Sequence, residues 1–427
     1  MEAFLQLISN GLARDIKASP QAFTRHRKLP LPKLFLFLLF LTAGGKSQGV
    51  DGKSGAFFRH ARRSGLWPEA EAVHRSAVTK ARAKLSWTAF EQLHHDAVQL
   101  AYDLWPASEE DTWHGLSAFA IDGSKYALPA SPALRAAFDP DSGLDQPGKG
   151  HYPQCLVSTV QDVFRRLPIA RTVRPIADAH EREELKALLP FIPAGGVLLC
   201  DRGYPSYDLI DFVSRHYSGY WLFRCPAQST FPAVERFVQS GRAQDLITLQ
   251  PPHGEALRVR AIRLHSPDGT LSVLLTNLLD QQHFSTEAII ALYFRRWAVE
   301  TQYRDEKTSL DIETFHSHTE NGIRQELFAI LLVAVIARML MVLMTDRDHP
   351  SGAEPQLKHA IITVATEAAV LTPHCPALAL VIFTELLNEI ARVRYYPPST
   401  PRPSEPRVSR QPISKWQISK TKRLMNA

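Results

Sequence analysis

Hydrophobic positions change their spacing along the chain, and the changes divide it into segments. Residues 1 to about 110 read as helices, whereas from residue 116 short apolar runs typical of strands alternate with helical segments. The predicted elements are strands at 118–121, 155–164, 167–173, 197–200 and 220–224, and helices at 181–189 and 206–215. Their order, β, β, β, α, β, α, β, predicts a mixed α/β core instead of a regular βαβ repeat.

Two apolar runs are candidates for membrane spans. Leu34–Leu41 is too short, because a helix needs about 20 residues to cross the hydrocarbon core. Leu327–Met344 has the length but contains Arg338, and a charge in mid-bilayer costs about 3 kcal/mol. We therefore predict a buried helix at both positions. A membrane-associated protein is the alternative, which Arg338 disfavours.

Residues 227–282 break the alternation of helices and strands. Three β-rich runs joined by turns rich in Pro and Gly predict a small β insertion in the core. A helix follows, with Ser285 in the N-cap position and Glu287 near its positive end. The predicted domains are 1–110 (helical, DNA-binding), 111–226 and 283–345 (two parts of the core), 227–282 (the insertion) and 346–427 (helices and a basic tail).

Composition adds a charge pattern and a redox expectation. Lys and Arg number 49 against 43 acids, a net charge of +6, but residues 392–427 hold nine of these cations and one acid. The tail thus carries +8 and the rest of the chain −2, which favours a polyanionic partner. The four cysteines show no Cys-x-x-Cys pair, and no cleavable signal peptide is evident, so we expect a reducing cytoplasm.

Two aspartates have an unusual context. Asp122 and Asp201 each follow a short apolar run, so we predict that both lie at the end of a buried strand. Open α/β sheets place their ligands at such an edge. The alternative for each residue alone is a structural turn, since Asp-Gly is a common turn pair.

A third carboxylate comes from the helix predicted to begin near Thr286. At 100° per residue, Tyr293, Arg296, Glu300 and Lys307 fall within an arc of about 60° on one helix face. Two strand-end aspartates and one helix glutamate are the oxygen ligands that a pair of Mg²⁺ ions needs for phosphodiester chemistry. A solvated helix face is the alternative for this stripe.

These positions form a spaced signature, Tyr293-x2-Arg296-x3-Glu300-x6-Lys307. Supporting motifs are Ile121-Asp-Gly-Ser124, Cys200-Asp-Arg-Gly-Tyr204, Leu275-Thr-Asn-Leu278, Tyr293-Phe-Arg-Arg-Trp297 and Glu313-Thr-Phe-His316. In these motifs the sequence resembles the IS-four family of bacterial insertion-sequence transposases, which belong to the DDE group. The resemblance covers most of the chain and is strongest from about 116 to 340.

The resemblance implies an RNase H-like catalytic core. Asp122, Asp201 and Glu300 would be the catalytic acids and the ligands of two Mg²⁺ ions, for which Mn²⁺ can substitute. The implied activity is that of a DNA transposase which binds the inverted repeats of its element as a homodimer, cleaves the ends and joins the 3′-hydroxyl to target DNA. The residues expected to contact DNA are Lys125, Arg202, Tyr293, Arg296, Trp297, Arg304 and Lys307.

Other segments bear on DNA binding and on the course of the reaction. We expect the basic tail and residues 24–33 to add salt-sensitive affinity for DNA. Many members of the family cut through a DNA hairpin and stack a displaced base on an aromatic residue of the insertion. Here 227–282 contains only Phe231 and Phe237, with Trp221 just before it, so the hairpin step stays open. A catalytically silent DNA-binding descendant is the alternative, which the intact acid triad disfavours.

Overall fold

The computed structural model describes most of the chain in stretches separated by short gaps. The described residues are 2–14, 16–25, 27–42, 49–105, 108–142, 151–228, 231–251, 254–266, 269–344, 353–367 and 376–396. The basic tail after residue 396 and Cys375 lie outside them. The predictions made for the tail therefore stay predictions.

The N-terminal region is helical, as its sequence predicts. Its helices are α1 (Glu2–Ala13), α2 (Leu31–Leu41), α3 (Val50–Arg63), α4 (Arg75–Arg82) and α5 (Thr88–Leu104). Helix α2 corresponds to the first apolar run, and its side chains from Leu34 to Leu41 are buried. Pro32 fits its first turn, where the backbone N–H groups have no partner within the helix. The prediction of a buried helix is confirmed here.

A mixed sheet forms the centre of the protein. Its strands are β1 (Ala118–Ala127), β2 (Gln154–Asp162), β3 (Leu167–Pro175), β4 (Val197–Cys200), β5 (Tyr220–Pro226), β6 (Gln244–Leu249), β7 (Leu257–His265) and β8 (Leu271–Thr276), in the spatial order β3-β2-β1-β4-β5-β8-β7-β6. Strands β1, β2 and β3 pair antiparallel, whereas β4 and β5 run parallel to β1. This order and these directions are those of an RNase H-like core, which confirms the predicted fold class.

Four helices lie between these strands in the described residues, and the sequence analysis predicted two of them. They are α6 (Pro132–Phe138), α7 (Glu181–Leu188), α8 (Tyr207–His216) and α9 (Pro232–Gln239). The sequence analysis lacked α9, which lies within residues 227–282, and it also lacked α6. Its N-cap Ser131 accepts a hydrogen bond from the Leu134 N–H, and Pro132 is its first residue. Seven residues are too few to show a helical period, so only these start signals mark it in the sequence.

The β-rich residues 227–282 extend the sheet of the core. Strand β8 pairs antiparallel with β5, with Leu222 opposite Thr276, and β7 and β6 follow outward. The Thr276 hydroxyl donates to the Trp221 carbonyl and fixes the junction. The predicted strands are therefore present, and they continue the central sheet.

The single helix predicted to carry residues 293 to 307 is wrong. The chain forms α10 (Thr286–Phe294), α11 (Trp297–Arg304) and a π-helical turn (Asp305–Ser309). Ser285 does cap α10, accepting from the Ala288 N–H at 3.1 Å. Between α10 and α11 the backbone tightens to three-residue spacing, with the Arg296 N–H bonded to the Tyr293 carbonyl at 3.1 Å. Residues 286–309 contain no Gly or Pro, so the sequence does not predict the break between α10 and α11 or the π turn.

Helix α12 (Glu320–Leu343) is the second apolar run. It is long and apolar enough to cross a membrane, but 89% of its most apolar window is buried inside the protein. Arg338 is buried as well, and its guanidinium donates to the Arg165 carbonyl at 2.8 and 3.0 Å. The prediction of a buried core helix is confirmed.

The described residues after α12 form two helices and a short strand pair. These are β9 (Glu354–Pro355), α13 (Leu357–Thr366), α14 (Pro376–Arg392) and β10 (Arg394–Tyr395). Strands β9 and β10 pair antiparallel, apart from the central sheet.

Candidate active site

Two aspartates lie side by side in the middle of the sheet. Strands β1 and β4 are parallel, with Ala118 opposite Val197 and Ala120 opposite Leu199. Continuing this register by two residues brings Asp122 opposite Asp201. Since neighbouring strands lie about 4.8 Å apart, both carboxylates can reach one small ligand between them.

The prediction that Asp122 ends its strand is wrong. Strand β1 continues to Ala127 because β2 pairs with it along this length, with Asp122 opposite Thr159. Asp201 does follow the end of β4. Asp122 accepts a hydrogen bond from the Gly123 N–H at 2.9 Å, and Asp201 accepts one from the Gly203 N–H at 2.8 Å.

A fourth acid, Glu181, lies beside the two aspartates. A Cβ on Gly123 would lie 2.7 Å from Oε1 of Glu181, and a Cβ on Gly203 would lie 3.4 Å from its Oε2. Only Gly at position 123 lets the Glu181 carboxylate approach β1 this closely. The sequence analysis missed Glu181, since it is the first of three closely spaced acids at the start of α7 and reads as a charged helix end.

Glu300 and Arg296 form an ion pair at the start of α11. The Arg296 Nη2 lies 2.8 Å from Oε1 of Glu300, and the Arg296 side chain is only 5% exposed. Its Nε and Nη1 are buried without a hydrogen-bond partner among the described residues. A buried guanidinium with two open donors is suited to an anion, because unpaired buried donors are costly.

The electrostatics place the three predicted acids near one another. Burial raises the pKa of Asp122 to about 7. The Arg296 guanidinium opposes this shift in pKa, whereas the charges of Asp201 and Glu300 add to it. Carboxylates that repel one another in a partly buried site favour a bound cation or proton.

The donor set suits a hard divalent cation, although the side chains do not enclose a site. Carboxylate oxygens are the ligands that Mg²⁺ and Mn²⁺ prefer. No group of three or more His, Cys, Asp or Glu side chains among the described residues is close enough to hold a metal ion as placed. Glu300 is engaged by Arg296, so it would have to turn from Arg296 to join the two aspartates.

The other residues of the signature surround these acids. Tyr293 is buried, and its hydroxyl has no hydrogen-bond partner in the described chain. The Arg296 guanidinium lies 5.9 Å from the Tyr293 ring and 5.5 Å from the ring of Trp297, which is 43% exposed. The Lys307 ammonium donates to the Ser124 hydroxyl at 2.8 Å and to the Lys125 carbonyl. All four signature residues therefore lie at or next to the aspartate-bearing strands.

Three other predicted DNA contacts are exposed near the site. Lys125, Arg202 and Arg304 point to solvent. Lys125 and Arg202 are close to the acids along the chain, and Arg304 follows Glu300 by one helical turn. No hydrogen bond joins these three side chains to the acids within the described ranges.

Tyr303 is a further residue that the sequence analysis missed. Its hydroxyl donates to the Asp122 carbonyl at 2.6 Å and also lies 3.1 Å from the Val157 carbonyl. It thereby ties α11 to the strand that carries Asp122. Its position three residues after Glu300, one helical turn further along, is the signal that could have identified it.

The aromatic residues considered for base stacking are buried. Phe231 and Phe237 are 5% and 3% exposed, and Trp221 is fully buried in β5. None of the three presents a ring to solvent, whereas Trp297, beside Arg296, does.

Without divalent cations, Asp122→Asn should become more stabilising as pH rises. Because folding raises the pKa of Asp122 from 3.8 to about 7, the native state holds a proton that the unfolded state has lost. Stability of the parent therefore falls from pH 4 to 7, and Asn escapes this loss. We expect the Tm difference in EDTA to grow by about 2–4 °C over that range and then level off. Asp103→Asn, at an exposed position of α5, is the control, and a pH-independent Tm difference between Asp122→Asn and the parent would contradict the assignment.

The comparison with known proteins assigns the family. Residues 113–336, slightly more than half of the chain, match the family described as transposase DDE domain. This stretch contains both aspartates and the whole signature. The chain belongs to this family of DDE transposases, and the predicted relationship is confirmed.

Individual relatives agree with this assignment. The chain is 25% identical over 296 residues to the transposase InsG for insertion sequence element IS4 of Escherichia coli (strain K12), which covers 66% of this chain and 63% of that protein. It is 35% identical over 152 residues to the probable transposase for insertion sequence element IS5377 of Geobacillus stearothermophilus, covering 34% and 39% of the two chains. The matches thus span less than two thirds of either relative.

One solved structure with a partly similar backbone is that of a transposase. It is the piggyBac transposase synaptic complex with hairpin DNA, with a TM-score of 0.43 and 11% identity, covering 95% of this chain and 84% of that one. The sequence matches carry the family assignment, and the strand order carries the fold.

Proposed function

We propose that this protein is a DNA transposase that binds the terminal inverted repeats of its insertion sequence, cleaves the DNA ends and joins the 3′-hydroxyl to target DNA. The observation that supports it most is the parallel register of β1 and β4, which brings Asp122 opposite Asp201 with Glu300 on the adjoining helix. Within a DDE transposase family, this arrangement favours catalysis over a silent DNA-binding role.

Asp122, Asp201 and Glu300 are the proposed ligands of two Mg²⁺ ions, with Mn²⁺ as a substitute. Bound there, the ions would polarise the attacking water or 3′-hydroxyl and offset the charge of the phosphate. Tyr303 holds the backbone of Asp122, and the Gly203 N–H orients Asp201. Glu300 leaves Arg296 when it takes up its ligand position.

Release of Glu300 makes Arg296 available to the DNA. Its Nε and Nη1 are already open, and loss of the ion pair frees Nη2 as well. A guanidinium with a free fork can bind two oxygens of one phosphate. Lys307 adds a second cation beside β1, and exposed Trp297 offers a ring against which a displaced base can stack.

A second positive surface lies in the N-terminal helices. A cavity of about 880 Å³ lies between residues 21–30 and α4, and we call it the basic groove. Its cations are Arg25, Arg27, Lys28, Lys80 and Lys84, and the described residues that line it include no Asp or Glu. Lys28 is the cation with an acidic neighbour, Glu71. The groove suits a phosphate backbone, and we propose that duplex DNA occupies it.

Helix α4, which lines the basic groove, is anchored to the catalytic core. Lys80 and Lys84 face the groove, whereas Arg82 between them points inward. Arg82 forms a buried ion pair with Glu326 of α12 at 2.9 Å and donates to Gln325 at 3.0 Å. These contacts tie α4, which forms one wall of the groove, to α12.

Removing two cations of the basic groove should weaken DNA binding in a salt-dependent way. For Lys80→Gln/Lys84→Gln, the slope of log K against log salt concentration should become shallower by about 1.8, because each phosphate contact contributes about 0.9. The measurement is fluorescence anisotropy with duplex DNA at several salt concentrations. Arg59→Gln/Arg63→Gln, a pair with the same spacing at exposed positions of α3, is the control. Equal slopes for the two double variants would show that the basic groove does not bind the DNA.

The proposal extends to the oligomeric state and the cellular compartment of the protein. We propose that two copies pair in the complex that holds both element ends, since a cut-and-paste reaction must bring the ends together. The cytoplasm, where bacterial DNA lies, is the proposed compartment.

The activity test uses the purified full chain and duplexes from the DNA that flanks its gene. The expected result is strand cleavage with Mg²⁺ or Mn²⁺, at the boundary of paired inverted repeats, and none in EDTA. Binding to these duplexes without cleavage in either metal would instead favour the silent DNA-binding alternative.

A further inference from the structure

A fully buried ion cluster lies beneath the lysine of the signature. Glu306 of the π turn and Arg171 of β3 form an ion pair of 2.6 Å, and both side chains are 0% exposed. Glu306 also accepts the Tyr126 hydroxyl at 2.6 Å and the Gln302 amide at 2.9 Å. Both oxygens of the carboxylate are therefore engaged by donors from two strands and from α11.

The cluster lies on the same face of the sheet as Asp122. Arg171 is opposite Thr159, and Thr159 is opposite Asp122, so the three residues form one row across β3, β2 and β1. Residues directly opposite in a sheet share a face. Arg171 also donates to the Thr159 hydroxyl at 3.1 Å, within this row. Tyr126, four residues after Asp122, is on that face too.

Glu306 holds the π turn against the sheet. The turn closes with the Leu310 N–H bonded to the Asp305 carbonyl at 2.9 Å, a spacing of five residues. Such turns occur mostly as single distortions of α-helices, often at functional sites. Glu306 is a buried residue of this turn, and its side-chain bonds reach β1 and β3. The ion cluster is thus a direct link between the turn and the aspartate-bearing strand.

Lys307 follows Glu306 directly and has a defined position. Its ammonium lies 4.4 Å from the centre of the Tyr126 ring and donates to Ser124, two residues after Asp122. Tyr126 therefore contacts Glu306 through its hydroxyl and Lys307 through its ring. A change at Glu306 can reach Lys307 both along the backbone and through this tyrosine.

We propose that Glu306, held by Arg171 and Tyr126, is a positioning residue that sets the Lys307 ammonium beside β1 for contact with the DNA phosphate. The inference rests on the proposed function, in which Lys307 binds phosphate near the cleaved bond. Glu306 itself is buried and touches no substrate. Its charge is needed because Arg171, at the centre of the cluster, has no other acidic partner among the described residues.

The test is a double-mutant cycle on the full chain. The variants are Glu306→Gln, Lys307→Met and the two combined, and Glu287→Gln, an exposed acid of α10, is the matched control. The readouts are the single-turnover cleavage rate at saturating duplex from the DNA flanking the gene, and the Kd for that duplex in EDTA. A residue that acts only through Lys307 has no effect once Lys307 is gone.

We expect Glu306→Gln to slow cleavage about 10-fold, Lys307→Met to slow it at least as much, and the double variant to match Lys307→Met within about 2-fold. If the fold-losses in cleavage rate of the two single variants multiply in the double variant, the positioning role of Glu306 is overturned and the role of Lys307 stays intact. Parent-like cleavage by Glu306→Gln would also overturn it. Parent-like cleavage by Lys307→Met would overturn the phosphate role of Lys307 as well.

A second variant covers the case in which Glu306→Gln does not fold. Arg171→Met/Glu306→Leu replaces the buried pair with apolar side chains of similar volume, which proteins often tolerate without loss of stability. We expect this variant to fold and to cleave as slowly as Glu306→Gln. A folded variant with the parent's cleavage rate would show that the ion cluster does not position Lys307.

Discussion

Replacing Asp201 with Asn should abolish DNA cleavage while leaving DNA binding nearly unchanged. Asn keeps the shape of the side chain and its hydrogen bond from Gly203, but it loses the charge that would hold a divalent cation opposite Asp122. We expect the Mg²⁺-dependent cleavage rate to fall by about 10³-fold or more, since the metal contributes both to activating the nucleophile and to stabilising the transition state. Asp122→Asn and Glu300→Gln should have effects of similar size.

Controls separate this loss from misfolding. Asp103→Asn and Glu287→Gln make the same chemical changes at exposed positions on helices and should cleave like the parent. The Kd for the duplex in EDTA should change less than about 3-fold in the active-site variants, because most affinity comes from phosphate contacts elsewhere. If Glu300→Gln cleaves like Glu287→Gln, Glu300 is not the third acid.

Replacing Arg296 with Met should reduce activity by far more than its effect on stability explains. The side chain is 5% exposed, and its Nε and Nη1 have no hydrogen-bond partner in the described chain. Its Nη2 pairs with Glu300 and its charge acts on Asp122, so its removal takes a cation from two partly buried acids and costs some stability. In the proposed reaction the freed guanidinium binds the phosphate as charge develops there. Loss of one such donor typically costs about 10²–10³-fold in rate.

The measurements for Arg296 are the single-turnover cleavage rate and the Tm. We expect Arg296→Met to lower the Tm of the metal-free protein but to stay folded at the assay temperature, while cleavage falls at least 10²-fold. Arg296→Lys should retain only part of the parent's cleavage rate, because an ammonium cannot bind two phosphate oxygens as a guanidinium does. The neighbouring exposed Arg295→Met is the control. A large fall in Tm with proportionate loss of activity would mean that Arg296 has a structural role.

The sequence predicted the central strands well because their residues are buried on both faces and form short apolar runs. It also predicted the proximity of Asp122 and Asp201, since both follow apolar runs that belong to neighbouring strands in this fold class. It placed Asp122 at a strand end, however, because the apolar run stops at Ile121. Pairing with β2 carries β1 on to Ala127 through polar residues, and such pairing is a tertiary effect that local composition does not show.

The single helix predicted for residues 293–307 was also wrong because tertiary contacts outweigh the local pattern. A period of 100° per residue placed Tyr293, Arg296, Glu300 and Lys307 on one stripe, but the chain reaches the site through two helices and a π turn. The residues still gather there because buried tertiary contacts, such as that of Glu306 with Arg171, set the winding. Glu181 and Tyr303 escaped notice for a related reason, since their roles depend on what they meet in space.

The most direct test of the central claim is the metal preference of Asp201→Cys. If Asp201 binds the catalytic cation, a thiolate there should accept Mg²⁺ poorly and the softer Mn²⁺ better. We predict that this variant is inactive with Mg²⁺ and that Mn²⁺ restores cleavage at least 10-fold, whereas Asp201→Asn gains no such rescue. Equal residual activity of Asp201→Cys in the two metals, with the parent active in both, would contradict the assignment of Asp201 as a metal ligand.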